Sequence, residues 1–252
     1  MIDFKDVTFI VPVRFDSEDR RRNFRTSMGY ILRNFDTNII VLESDGESNE
    51  GFVKSVSDKI KYVFEKNDDK LFYRTRLLNN MTKMTETDIV VNYDVDVIFP
   101  IEQYIESKKK IEGGCTICFP YAGKFYDIPV KHFDKVDDDK LSDIPLGECT
   151  LFNPNSVGGA FFFSKSKYGE IGWENETFVS WGHEDWERVV RVKTMGHIEG
   201  RTDGVLYHLT HSRTHNSSSN NPFFGFNGQE FNKIRNMSKE QLTNHIKTWS
   251  WI

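Results

Sequence analysis

Cysteine is scarce: Cys115, Cys118 and Cys149 are three in 252 residues. An odd and small number excludes a disulfide framework and leads to the expectation of a reducing compartment. Cys115-Thr116-Ile117-Cys118 has CxxC spacing, but no second CxxC follows, which excludes a zinc ribbon. The stretch Cys115 to Phe119 reads as a strand, and strand alternation would put the two thiols on opposite faces. Apolar runs long enough to span a membrane are absent. So is an excess of positive charge: 33 Lys and Arg against 38 Asp and Glu leave a net charge of -5. That balance argues against nucleic acid or an anionic membrane as the main partner. The charged opening Met1-Ile2-Asp3-Phe4-Lys5-Asp6 is unlike a signal peptide, so a cytoplasmic location is expected. No internal repeat or linker interrupts the chain, and one domain over 1–252 is expected.

What is present is an α/β pattern rich in phenylalanine, with 21 Phe. Thr8 to Val13 is a short apolar strand, after which Asp16 or Ser17 caps a helix carrying Phe24, Met28, Ile31 and Leu32 at helical spacing. Asn38–Leu42 and Ile60–Phe64 read as strands, 74–85 as a helix and Ile89–Ile98 as a buried strand. Strand and helix alternating over the first hundred residues predict a parallel sheet, which binds ligands beyond its carboxyl ends. Arg14 and the Asp94-Val95-Asp96 triplet both fall at such ends and should share one crevice. The second half is less regular. An Asp-rich stretch to about Asp143 reads as a surface excursion, 184–195 as a helix and Gly204–His211 as the last strand. Ser238-Lys239-Glu240-Gln241 has the form of a capping box.

Four stretches carry chemistry. Asp94 and Asp96 end a buried strand, where uncompensated charge costs several kcal/mol. A cation is their simplest partner, and hard oxygen ligands suit Mg²⁺ or Mn²⁺ bridging to substrate phosphates. His208 and His211 leave a strand within four residues of each other, and imidazole is a good Mn²⁺ ligand beside carboxylate. Trp181-Gly182-His183-Glu184-Asp185 places an aromatic face in a turn and two acids at a helix start. There the dipole favours a carboxylate able to accept a proton, or the acids merely stabilise the helix. Arg74, and Arg14 after the first strand, suit phosphate. Each stretch also has a plain structural reading as solvated acids, structural His or exposed Arg.

In order along the chain, these stretches resemble the β-1,4-galactosyltransferase family with its GT-A nucleotide-sugar fold. Val11-Pro12-Val13-Arg14 is similar to that family's first-strand PFR motif, Phe72–Asn79 to FNRAKLLN and Tyr93–Ile98 to HDVDLI. Gly158-Gly159 with Ser164-Lys165 resembles GGVSALSK, Trp181–Glu187 resembles WGGEDDD, and His211-Ser212-Arg213 resembles HSR. The later blocks are shared with chondroitin-type and polypeptide GalNAc-transferases.

The resemblance implies a single GT-A domain, with a nucleotide-binding half over 1–100 and an acceptor- and metal-binding half over 101–252. It implies Mn²⁺, with Mg²⁺ as the other option, on Asp96, His208 and His211. The donor would be UDP-Gal or UDP-GalNAc, held by Pro12, Arg14, Arg74, Asp94, Val95, Gly159 and Trp181. A glycan acceptor would meet Trp181, Glu184 and Asp185, with Asp185 as base and Glu184 orienting the acceptor. A mobile loop would cover about 212–226, and the enzyme could sit peripheral to a membrane-bound glycan assembly. His208 stands where the vertebrate enzymes carry a Met ligand, His183 replaces a Gly, and Trp186 replaces an acid. Ser156 aligns with a bulky Tyr that crowds the donor's 2-position, so room for an N-acetyl group is expected. Two other readings stand beside this one. A sugar-1-phosphate nucleotidyltransferase would need a Gly-rich loop after the first strand, and Val13-Arg14-Phe15-Asp16-Ser17 has no Gly. A non-catalytic carbohydrate-binding protein would use Trp181 and the Phe-rich tail.

Overall fold

The computed structural model describes residues 1–212, 216 and 218–252. The chain opens on β1 (Ile2–Val13), whose side chains from Val7 onward are all buried and, apart from Thr8, apolar. Ser17 then caps α1 (Glu18–Asn34) by accepting from the Arg20 amide at 3.2 Å. β2 (Phe35–Asp45), α2 (Glu50–Val56), β3 (Lys61–Lys66), α3 (Arg74–Met84) and β4 (Ile89–Tyr93) complete the alternating half. β3, β2, β1 and β4 lie side by side and parallel. Of the three crossover helices, the longer two, α1 and α3, each bury one face, as a parallel sheet with covered sides requires.

Beyond β4 the chain leaves this pattern. β5 (Val97–Ile98), α4 (Ile101–Glu112), β6 (Ile117–Phe119), β7 (Lys124–Ile128), α5 (Phe133–Asp137), β8 (Thr150–Asn153), β9 (Ala160–Ser164) and α6 (Lys165–Gly169) follow. Then come α7 (Glu184–Met195), β10 (Glu199–Arg201), β11 (Val205–Leu209), α8 (Phe224–Arg235) and α9 (Lys239–Ile246). Antiparallel β9 joins β4 to β6, and β10 closes a seven-stranded mixed sheet of order β10-β6-β9-β4-β1-β2-β3. A second sheet, β5-β11-β7-β8, packs beside it. Phenylalanines fill much of the shared core, with Phe9, Phe99, Phe162, Tyr93 and Tyr104 in mutual ring contact. α9 begins with the expected capping box between Ser238 and Gln241. No helix among the described residues is long and apolar enough to cross a membrane.

Three expectations change. The strand over 89–98 is two strands in different sheets, and the acidic triplet is the crossing between them. The crossing is pinned through its backbone: the Asp94 amide donates to Gly159 at 2.9 Å, the Val95 carbonyl accepts from Ser27 Oγ at 2.6 Å, and the Asp96 carbonyl accepts from the Leu209 amide at 2.7 Å. Cys115 lies in the turn after α4, its amide bonded to the Lys110 carbonyl, and the strand starts only at Ile117. Its thiol therefore falls on the same side as that of Cys118. A β-carbon added to Gly200 would meet Cys115 Sγ at 2.9 Å and Cys118 Sγ at 3.4 Å. The Asp-rich stretch is not a loose excursion either: Phe133, Val136, Leu141 and Ile144 are buried in the core, and β7 lies inside the second sheet.

Candidate active site

The carboxyl ends of β1 and β4, the Gly158-Gly159 turn and the start of α7 enclose a crevice of about 420 Å³. It is lined by Pro12, Arg14, Arg74, Asp94, Val95, Asp96, Gly159, Trp181, Glu184, Asp185, His208 and His211, so every residue expected at the site from the sequence borders one space. Their surroundings differ. Arg14 spends its guanidinium on backbone carbonyls, donating to that of Ser44 near the end of β2 at 3.0 Å and to that of Asp69 after β3 at 2.8 Å. It frames the crevice with its stem. Arg74 donates from Nη2 to Asp94 at 2.8 Å, while its Nη1 is buried without a hydrogen-bond partner. A buried unsatisfied donor is costly, so this edge of the crevice suits an oxygen-rich ligand.

The two acids of the triplet are driven apart. Burial raises the Asp94 carboxyl above its usual range, Arg74 only partly offsetting this and Asp96 adding to it. Burial also opposes charge on Asp96, but Arg20, His208 and His211 outweigh it and hold that carboxyl well below the usual range. Asp96 is thus the fixed negative charge. Its Oδ2 lies 3.2 Å from His211 Nε2, and its Oδ1 lies 3.7 Å from His208 Nε2. The ligand atoms of the three residues all fall within 4.8 Å of one another, a group able to hold a metal ion. One carboxylate and two imidazoles form a donor set suited to a first-row divalent cation.

α1 secures this group. Asn23 donates to the Leu209 carbonyl at 2.7 Å, Arg22 donates to that of Thr210 at 2.9 Å, and Asp19 accepts from the Ser212 amide at 3.0 Å. Arg20 donates directly to Asp96. Arg20 is not among the residues expected from the sequence, although cations in a helix's first turn oppose the dipole and call for a reason. Nor is Asp127, which bonds His208.

On the opposite wall, His183 adopts a left-handed conformation (φ 74) to launch α7, its ring against Phe224. Glu184 folds back to accept from the Gly182 amide at 2.8 Å. Burial and the neighbouring Asp185 charge push its carboxyl up to about 7. Asp185 is more open and accepts at Oδ1 from Arg188 at 2.9 Å. Arg188, fully buried, also makes two 2.9 Å bonds to Glu174 and lies over the Phe161 ring. Trp181 stacks on Phe224 at 5.8 Å, which starts α8 and so ends the expected loop three residues early. Asn216 accepts from Ser180 Oγ at 2.7 Å, and Asn221 donates to the Trp181 carbonyl at 2.7 Å. The rest of that expectation, at 213–215 and 217, lies outside the described residues, as does Arg213 of the HSR block.

Residues 143–215, which hold the Gly158-Gly159 turn, the α7 acids and both histidines, match a family model described as the N-terminal domain of galactosyltransferase. The segment is galactosyltransferase-like. The fold of the chain is GT-A: it is similar to a Pyrobaculum calidifontis mannosyltransferase solved with GDP-Man and Mn²⁺, at TM-score 0.53 and 14% identity over 82% of this chain and 58% of that one. A Drosophila β1,4-galactosyltransferase 7 catalytic domain solved with xylobiose aligns at TM-score 0.49 and 17% identity, covering 80% of this chain. A mutant of that enzyme with manganese, UDP-Gal and xylobiose aligns at TM-score 0.49 and 16% identity. The chain spans 65% of the length of the Drosophila chains. No curated protein matches it by sequence.

Proposed function

We propose that this chain is a metal-dependent, inverting glycosyltransferase that moves galactose or N-acetylgalactosamine from a UDP-sugar to a hydroxyl of a glycan acceptor. One observation carries the reading: an Asp-His-His group able to hold a metal and an acid pair at a helix start face the same crevice. The galactosyltransferase-like segment supports it, since it contains all of these residues except Asp96.

In this reading Asp96, His208 and His211 hold Mn²⁺ or Mg²⁺, which supplies positive charge against the diphosphate leaving group. Pro12, Val95 and Gly159 shape the donor side, and Arg14 holds the loop beneath it. Arg74 offers its unpaired Nη1 to a donor oxygen, with Asp94 steadying its other nitrogen. Trp181 presents an aromatic face between donor and acceptor. Glu184 orients the acceptor. Asp185 takes the proton of the acceptor hydroxyl; the oxygen attacks the anomeric carbon from the face opposite UDP, the bond from that carbon to the phosphate oxygen breaks, and UDP leaves with the electron pair. Arg188 keeps one Asp185 oxygen engaged and leaves the other for the acceptor.

The test is Asp185→Asn. Transfer should fall at least about 100-fold, while calorimetry with UDP and Mn²⁺ should give an affinity within about twofold of the parent. Loss of UDP binding together with transfer contradicts the assignment of the base.

A further inference from the structure

We infer that Asp127 is a positioning residue for the metal group, acting through His208. The inference rests on the metal-dependent reading above. β7 and β11 run parallel, and their register sets Asp127 beside His208. His208 Nδ1 lies 2.5 Å from Asp127 Oδ1, while Nε2 of the same ring faces Asp96. With Asp127 Oδ1 as the acceptor, Nδ1 carries the ring proton and Nε2 keeps its lone pair towards Asp96 and His211. The Phe125 ring, 5.0 Å away, packs against the imidazole and limits its rotation. Among the described residues, His208 is the one ion-pair partner of Asp127.

A plain structural role would leave Asp127 as an exposed acid with an incidental bond. Two observations oppose that. Aspartate is disfavoured in strands, yet here it occupies the middle sheet position between β11 and β8. It also meets the one ring nitrogen that does not face the other ligands. A carboxylate on the far nitrogen of a ligating histidine fixes its tautomer and raises its basicity, and loss of such a partner costs about 10–100-fold in metal affinity. His211 is held differently, its Nδ1 donating to the Ser212 carbonyl at 2.6 Å. The two imidazoles are thus oriented by unlike acceptors, one charged and one neutral.

The experiment is Mn²⁺ calorimetry on the parent, Asp127→Asn, Asp127→Ala, His208→Ala and the Asp127→Ala/His208→Ala double variant, with nitrogen NMR of the His208 ring in metal-free protein. Asp127→Ala should weaken Mn²⁺ binding about 10–100-fold, and Asp127→Asn, which keeps a neutral acceptor, should weaken it less. Asp127→Ala should add less than twofold in the His208→Ala background. The ring should hold the Nδ1–H tautomer in the parent and lose that preference in Asp127→Ala. Parent-like Mn²⁺ affinity in Asp127→Ala, or an equal loss in both backgrounds, overturns the inference. A parent that binds no Mn²⁺ contradicts the metal reading instead, and the tautomer comparison then decides the role of Asp127 by itself: an unchanged tautomer overturns it.

Discussion

Asp185 Oδ2 occupies the space that a side chain on Gly158 would need: a β-carbon there would lie 2.5 Å from that oxygen. The turn before β9 and the acid on α7 therefore fit together only because residue 158 has no side chain. Asp185 cannot yield freely, since Arg188 holds its other oxygen and is itself fully buried.

Gly158→Ala should displace the Asp185 carboxylate while leaving the fold in place, because the atom it meets ends a side chain. Misplacing a reacting group by about 1 Å costs about 100-fold in rate. Turnover should drop by about that factor, with a melting temperature within a few degrees of the parent. Unchanged turnover would remove Asp185 from the chemistry.

The fold was legible where burial and period coincide. α1, α3 and α7 follow the apolar pattern closely, with α7 spanning 184–195 as its acids and valines predict, whereas β1 begins six residues before the expected Thr8 and β4 ends at Tyr93. The second sheet was not legible, because short strands such as Val97–Ile98 carry no period of their own and exist through pairing with β11. The Asp94-Val95-Asp96 crossing was hidden for a related reason: Val97-Ile98 prolongs the apolar run of β4, although the chain has already changed sheets. The named crevice residues were found through motif order. Arg20, Asp127 and Arg188 were missed, as their roles depend on partners 76, 81 and 14 positions away.

Glu184 should make stability depend on pH. Its folded value is raised to about 7 from 4.5, so the native state binds the extra proton between those values. Its contribution is complete below pH 4.5 and declines as pH rises through 7, by up to about 3 kcal/mol. Glu184→Gln should therefore melt higher than the parent at pH 8, with the gap closing towards pH 5. Parallel melting curves across that range would show that burial does not penalise the charge.

Ser156 lines the crevice and accepts from the Gly158 amide at 3.2 Å. Ser156→Tyr should narrow use towards UDP-Gal by crowding the 2-position, cutting kcat/KM for UDP-GalNAc about 10-fold or more relative to UDP-Gal, or at least 1.4 kcal/mol. Equal turnover of UDP-GalNAc with Tyr at 156 would show that this position does not read the N-acetyl group.

The most direct test of the account is UDP release from UDP-Gal and UDP-GalNAc by the purified chain, measured with Mn²⁺ and again with EDTA, alongside Asp96→Asn. Release is expected from at least one of the two sugars with Mn²⁺, and its loss both in EDTA and in Asp96→Asn. Release that persists without metal, or that Asp96→Asn leaves intact, would contradict it.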